Sequence, residues 1–160
     1  MAESQSLADP AVRVPPWRDR FVGAAADAAW LASARSRTFA AEPHQVALAR
    51  LYLVDLLDGW RATDDAVVCL SELATNALLH SRSARPGGTF TVHAYRYPEI
   101  WRVGVSDKGG TWLPCGEPGA DRLTSRGLAI VAALAARVGI EPYGPSGRLV
   151  WFEIADGTGP

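Results

Sequence analysis

The chain has 160 residues, 48% apolar and 21% charged, which suits one globular domain with a real core. A net charge of −1 offers no basic surface to nucleic acid or anionic membrane, and no apolar run approaches the length of a membrane span. Cys69 and Cys115 stand apart without C-x-x-C spacing, and the N-terminus lacks a basic-then-apolar leader, so free thiols in a soluble cytoplasmic protein are expected.

Residues 1–35 read as an extension. Pro10, Pro15 and Pro16 precede an Ala-rich stretch, GAAADAAWLASA, with helical potential. Phe21, Trp30 and Leu31 would let it dock on the domain or meet a partner. The compact domain is expected over 36–156, opening on a short strand in RSRTFAA. In HQVALARLYLVDLLDGW, residues Val46, Ala49, Leu53, Leu56 and Leu57 share one helical stripe, with Pro43 suited to the start and Gly59 to the end. Thr63 is the expected N-cap of a second helix running through VVCLSELATNALLH, with Asp64 and Asp65 at its positive end. After the turn ARPGG, the segments TFTVHAYRY and IWRVGVSD alternate as two strands joined through Pro98–Glu99. A loop dense in Gly and Pro follows, KGGTWLPCGEPGADRLTS, long enough to suggest a lid or binding loop over 108–126. SRGLAIVAALAARVG predicts a third helix with Ser125 as N-cap and Gly139 as C′, and RLVWFEI predicts a closing strand. Strands joined by tight links are antiparallel neighbours, and helices not interleaved one-to-one with strands indicate an α+β fold: a two-layer sandwich, its mixed but mostly antiparallel sheet carrying helices on one face.

Three places carry potential chemistry. Glu72 and Asn76 lie at i,i+4 on one helix face, and His80 continues the line. Taken alone this is an ordinary solvated stripe. As a site, an amide oxygen is a hard ligand for Mg²⁺, and a carboxylate one turn away would orient or deprotonate a hydroxyl or water attacking a γ-phosphate. In the strand IWRVGVSD, alternation puts Asp107 on the face of Val103 and Val105, where a buried carboxylate needs a donor. An adenine amino group would serve, with Gly109 and Gly110 letting backbone pass close to the ring. Third, the TSRGLAIV helix start offers free N–H groups to an anion, with Gly127 permitting approach and Arg126 adding charge. Neither a P-loop nor a G-x-G-x-x-G motif is present. Each feature alone is weak; in this order they describe a nucleoside triphosphate pocket between helices and sheet.

The arrangement resembles the GHKL (Bergerat-fold) ATP-binding family, and within it the small anti-sigma-factor serine kinases of the RsbW/SpoIIAB type. SELATNALLH resembles the N box, VGVSDKGG the first glycine box, SRGLAIVAALAARVG the second, and GRLVWFEI the closing strand. The likeness spans about residues 37–154. It implies Glu72 as general base, Asn76 as Mg²⁺ ligand, Asp107 at the adenine amino group with Gly109 beside it, and Ser125, Gly127 and Leu128 at the triphosphate of ATP. It also implies a sigma factor and an anti-anti-sigma (STAS-type) protein as partners, a Ser or Thr of the latter as phosphoacceptor, and often a homodimer. Two positions depart from the pattern. Ser125 replaces the first glycine of a G-x-G, and Arg148 follows Gly147 where a threonine is usual, removing a hydroxyl expected near the adenine. The rival reading is a non-catalytic nucleotide-binding adaptor that acts by association.

Overall fold

The structure is a computed structural model that describes residues 34–109 and 122–156, the backbone alone over 122–125. Most of the N-terminal extension, most of the loop 108–126, Gly110 and Cys115 lie outside the described residues.

The elements are β1 (Arg35–Ala40), α1 (Pro43–Leu56), α2 (Thr63–His80), a 3₁₀ turn (Arg82–Ala84), β2 (Thr89–Arg96), β3 (Ile100–Asp107), α3 (Arg122–Leu134), β4 (Arg137–Tyr143) and β5 (Gly147–Ala155). The strands form one sheet in the order β1-β2-β3-β5-β4. Each described pairing is antiparallel, so no parallel component appears among them. The fold is the expected α+β arrangement of helices against one open sheet.

Alternation in the strands divides the two faces. Phe90, Val92 and Ala94 of β2, Val103 and Val105 of β3, and Val150, Phe152 and Ile154 of β5 build the main core with the helices. From α1 the core takes Val46, Ala49 and Leu53, and Leu57 from its C-cap, while Leu56 is only partly buried. Ala66, Cys69, Leu70, Leu73, Ala74 and Ala77 come from α2. Their spacing of three and four keeps one side of α2 buried, and the alanines let it lie close to the strands.

Sequence expectations fail at three boundaries. Thr63 is the first helical residue, with Ala62 at the cap. Its hydroxyl donates backward to the carbonyls of Trp60 (2.6 Å) and Leu57 (3.2 Å), closing the turn between the helices. Ser125 lies inside α3, which begins at Arg122, so it is not the cap. Gly139 is a strand residue of β4, paired with Trp151, and is not a helix terminator. A Cβ there would fall 2.2 Å from the Trp151 ring, so it is the indole lying over β4 that demands glycine. β4 was hidden in sequence because it is an exposed edge strand bearing Gly139 and Pro142, residues tolerated where one side of the ladder is open.

Candidate nucleotide-binding site

The polar stripe of α2 forms as its spacing dictates, and the three residues differ in environment. Glu72 and His80 are partly exposed, whereas Asn76 is 9% exposed. His80 follows Glu72 by eight positions, about 12 Å along the helix axis. At the Glu72 end α2 packs on α3. A Cβ on Gly127 would lie 2.6 Å from Glu72 Oε2, so α3 meets the end of this carboxylate at Gly127. In the middle, the Asn76 Nδ2 is buried with no hydrogen-bond partner among the described residues. Buried amides are nearly always satisfied, and an orphan of this kind marks a place where a ligand or water completes the bonding.

Asp107 stands at the far end, on the helix-facing side of β3, 8% exposed. The donor its burial requires comes from the protein itself. Arg148, directly opposite on β5, donates from Nε to Oδ2 at 3.0 Å, and the Gly109 N–H donates to Oδ1 at 2.7 Å. Burial pushes the Asp107 carboxyl above the usual carboxylate range, while Arg148 and the Gly109 N–H pull it back. The same guanidinium leans through Nη2 toward the carbonyl of His80 at 3.5 Å, tying Asp107 to the C-terminus of α2. Alternation in β5 gave a signal for this partner. Arg148 falls on the apolar face with Val150 and Phe152, so it is a buried charge that needs an opposite one.

The segment after α2 is stapled beneath Asp107. The Arg82 N–H donates to the Gly109 carbonyl at 2.6 Å, and the Lys108 N–H to Ser83 Oγ at 3.0 Å. Gly109 has φ +70°, and a Cβ on it would lie 2.3 Å from the Ser146 carbonyl. Its glycine is required by the β4–β5 turn packed against it. An open cleft bordered by Arg82, Arg85, Lys108 and Ser146 lies beside this staple and includes none of the α2 stripe.

At α3 the expectations sort unevenly. The free N–H groups of a helix belong to its first turn, here residues 122–124, ahead of Ser125, Arg126, Gly127 and Leu128. The Arg126 side chain is exposed, and that of Leu128 is in the core. The structure thus brings Glu72 to Gly127 and Asp107 to Gly109 and the end of α2. It gives Arg148 a partner that reading one strand at a time had missed.

No helix among the described residues is long and apolar enough to cross a membrane. No curated protein matches the sequence. Among solved structures, the RsbU and RsbW domains of a Mycobacterium tuberculosis protein align with a TM-score of 0.57 at 20% identity, covering 76% of this chain and 31% of that one. A blue-light activated histidine kinase of Erythrobacter litoralis aligns at 0.46 with 28% identity, over 59% of this chain and 30% of that one. The chain thus spans about a third of the length of these neighbours, and the first shows a shared fold. Residues 39–154 match the histidine kinase-like ATPase domain, and the chain belongs to that family.

Proposed function

We propose that the protein is an ATP-binding regulator that uses Mg-ATP to phosphorylate a Ser or Thr of a STAS-type anti-anti-sigma partner, and that it sequesters a sigma factor. The observation that carries the nucleotide reading is Asn76. It is a buried amide with an unpartnered nitrogen, on one stripe with Glu72 and leading to Asp107. The family match over residues 39–154 supports it.

In this reading Asn76 would hold Mg²⁺ through its amide oxygen, and the bound ion would supply charge neutralisation at the phosphates. The unpartnered Asn76 nitrogen donates to a phosphate oxygen or an ordered water. Glu72, backed by Gly127, accepts the proton of the attacking hydroxyl. Asp107 accepts a hydrogen bond from the base amino group through a lone pair that Arg148 and Gly109 leave open. Calorimetric titration with Mg-ATP tests the pocket. Asn76→Ala is expected to weaken Mg-ATP binding at least ~10-fold, and unchanged affinity would remove Asn76 from the site. Labelled ATP with a STAS-type protein tests transfer, which Glu72→Ala should abolish.

A second reading, a nucleotide-binding adaptor without phosphoryl transfer, is favoured by Arg148. Its guanidinium already occupies one oxygen of the Asp107 carboxylate. Binding of Mg-ATP with no transfer to any partner would select it.

A further inference from the structure

The Asp107–Arg148 pair raises a question of chemistry beyond whether a nucleotide binds. The two residues face each other in the β3–β5 register, on the same side as Val105 and Val150. A carboxylate in that wall has two ways to exist. It can stay ionised beside a cation, or it can take up a proton and become a neutral acid. The two forms present opposite hydrogen-bonding edges. The anion only accepts; the acid carries one O–H that donates.

Arg148 is well placed to decide between them. Its Nε lies 3.0 Å from Asp107 Oδ2, and both side chains are largely shielded from water. The guanidinium also sits at the carbonyl end of α2, near the His80 oxygen, where a helix favours positive charge. It is therefore held from two sides. The second carboxylate oxygen takes the Gly109 N–H at 2.7 Å, so the plane of the carboxylate is fixed as well. Each oxygen retains a further lone pair for a ligand.

We propose that Arg148 is a specificity-determining residue: by fixing Asp107 as an acceptor-only carboxylate, it makes the pocket select a purine bearing an exocyclic amino group over one bearing an oxo group at the same position. This rests on the nucleotide reading above and deepens it. Arg148 acts through Asp107 and is a positioning residue. Without the guanidinium, burial acts on Asp107 with less opposition. The acid form gains ground, and its O–H is a partner for an oxo group. Removing Arg148 should thus change which base is preferred rather than merely weaken binding.

The test is a titration at pH 6 with Mg-ATP and with Mg-inosine triphosphate, which differ at this position by amino against oxo. The wild-type protein is expected to prefer ATP by roughly 10–100-fold, the effect of leaving one buried polar group unpaired. In Arg148→Met the preference should fall to within about threefold, with inosine triphosphate affinity held or raised. Arg148→Gln is shorter but puts an amide N–H where Nε stands and drops the charge; it should show the same fall and carries the test if the Met variant does not fold. Equal loss of affinity for both nucleotides would overturn the proposal and leave Arg148 as packing. An unchanged ATP preference in a folded Gln or Met variant would overturn it too. If the wild-type protein binds neither triphosphate, the nucleotide reading itself fails and takes this inference with it.

Discussion

Two buried arginine–carboxylate pairs bridge β3 and β5, and they are built for different ends. Arg102 faces Glu153 and Asp107 faces Arg148, each pair in direct register. The Arg102 pair lies on the sheet face away from the helices, with Tyr95, Leu149 and Trp151. Arg102 is 2% exposed. Its Nε and Nη2 both donate to Glu153 Oε1, Arg137 approaches Oε2 at 3.6 Å, and its guanidinium stacks 4.1 Å from the Trp151 ring centroid. Protein groups meet these charges from several sides. The Asp107 pair is on the helix face, at the end of the polar stripe of α2 that holds the unpartnered Asn76 amide. A buried ion pair is weak evidence for stability in itself, because desolvation offsets its attraction. What separates the two pairs is their surroundings: one lies on the outer sheet face against Trp151 and Arg137, the other reaches the C-terminus of α2, the helix that carries Asn76.

The sharpest way to break the comparison is to remove one cation from the outer-face pair. Arg102→Met leaves Glu153 buried with Arg137 as its cation among the described residues and removes the stacking on Trp151. A loss of about 3–5 kcal/mol is expected in denaturant unfolding. Mg-ATP affinity of the folded fraction should not change. A loss below ~1 kcal/mol would show that Arg137 and water take over, and that the pair is less enclosed than its burial indicates.

His93 tests the same face through pH. It is buried, with Nε2 2.8 Å from Ser106 Oγ, and burial lowers its pKa from 6.5 to about 4. The folded value lies below the unfolded one, so the fold favours the neutral ring. Its contribution is fully present above pH 6.5 and is lost as pH falls from 6.5 through about 4. The full loss is roughly 3 kcal/mol, since each tenfold difference in proton affinity between folded and unfolded chain corresponds to about 1.4 kcal/mol. Unfolding midpoints at pH 7 and pH 4.5 capture most of it, and His93→Gln should flatten that difference. An equal slope in the variant would assign the acid sensitivity to carboxylates.

Arg148→Met is expected to cost less than Arg102→Met, about 1–3 kcal/mol, because Asp107 keeps the Gly109 N–H and can take up a proton. A cost equal to that at Arg102 would mean both pairs hold the fold in the same way.

These contrasts also mark what was legible in the sequence. Period-two alternation put Asp107 on the face of Val103 and Val105, which the fold buries, and helical spacing aligned Glu72, Asn76 and His80 on one helix. Local pattern carries that much, because the face a side chain takes is set by its own element. Contacts between elements were not legible. Gly127 resembled a residue for phosphate approach, and the fold sets it against the Glu72 carboxylate. Gly139 resembled a helix terminator, but its reason is Trp151, twelve positions on and opposite in register. Arg148 carried the same alternation signal as Asp107, yet pairing them needs the register of two strands about forty residues apart. Glycines and charges are ambiguous in sequence because a neighbour in space, absent from the local pattern, supplies the reason for them.

The smallest expected change in stability is the most telling one for the site. Asn76 is buried on α2, yet its Nδ2 has no partner among the described residues, so the folded protein already bears the desolvation of that group. Asn76→Ala removes the orphan and places a better helix former in the middle of α2. Unfolding free energy without ligand should move by less than ~1 kcal/mol, in the stabilising direction. The protection conferred by Mg-ATP should drop at the same time, since ligand stabilisation follows affinity. A residue kept for packing would do the reverse: its loss would destabilise the free protein and leave the ligand's protection intact. Thermal unfolding of wild type and variant, each with and without Mg-ATP, separates the two outcomes.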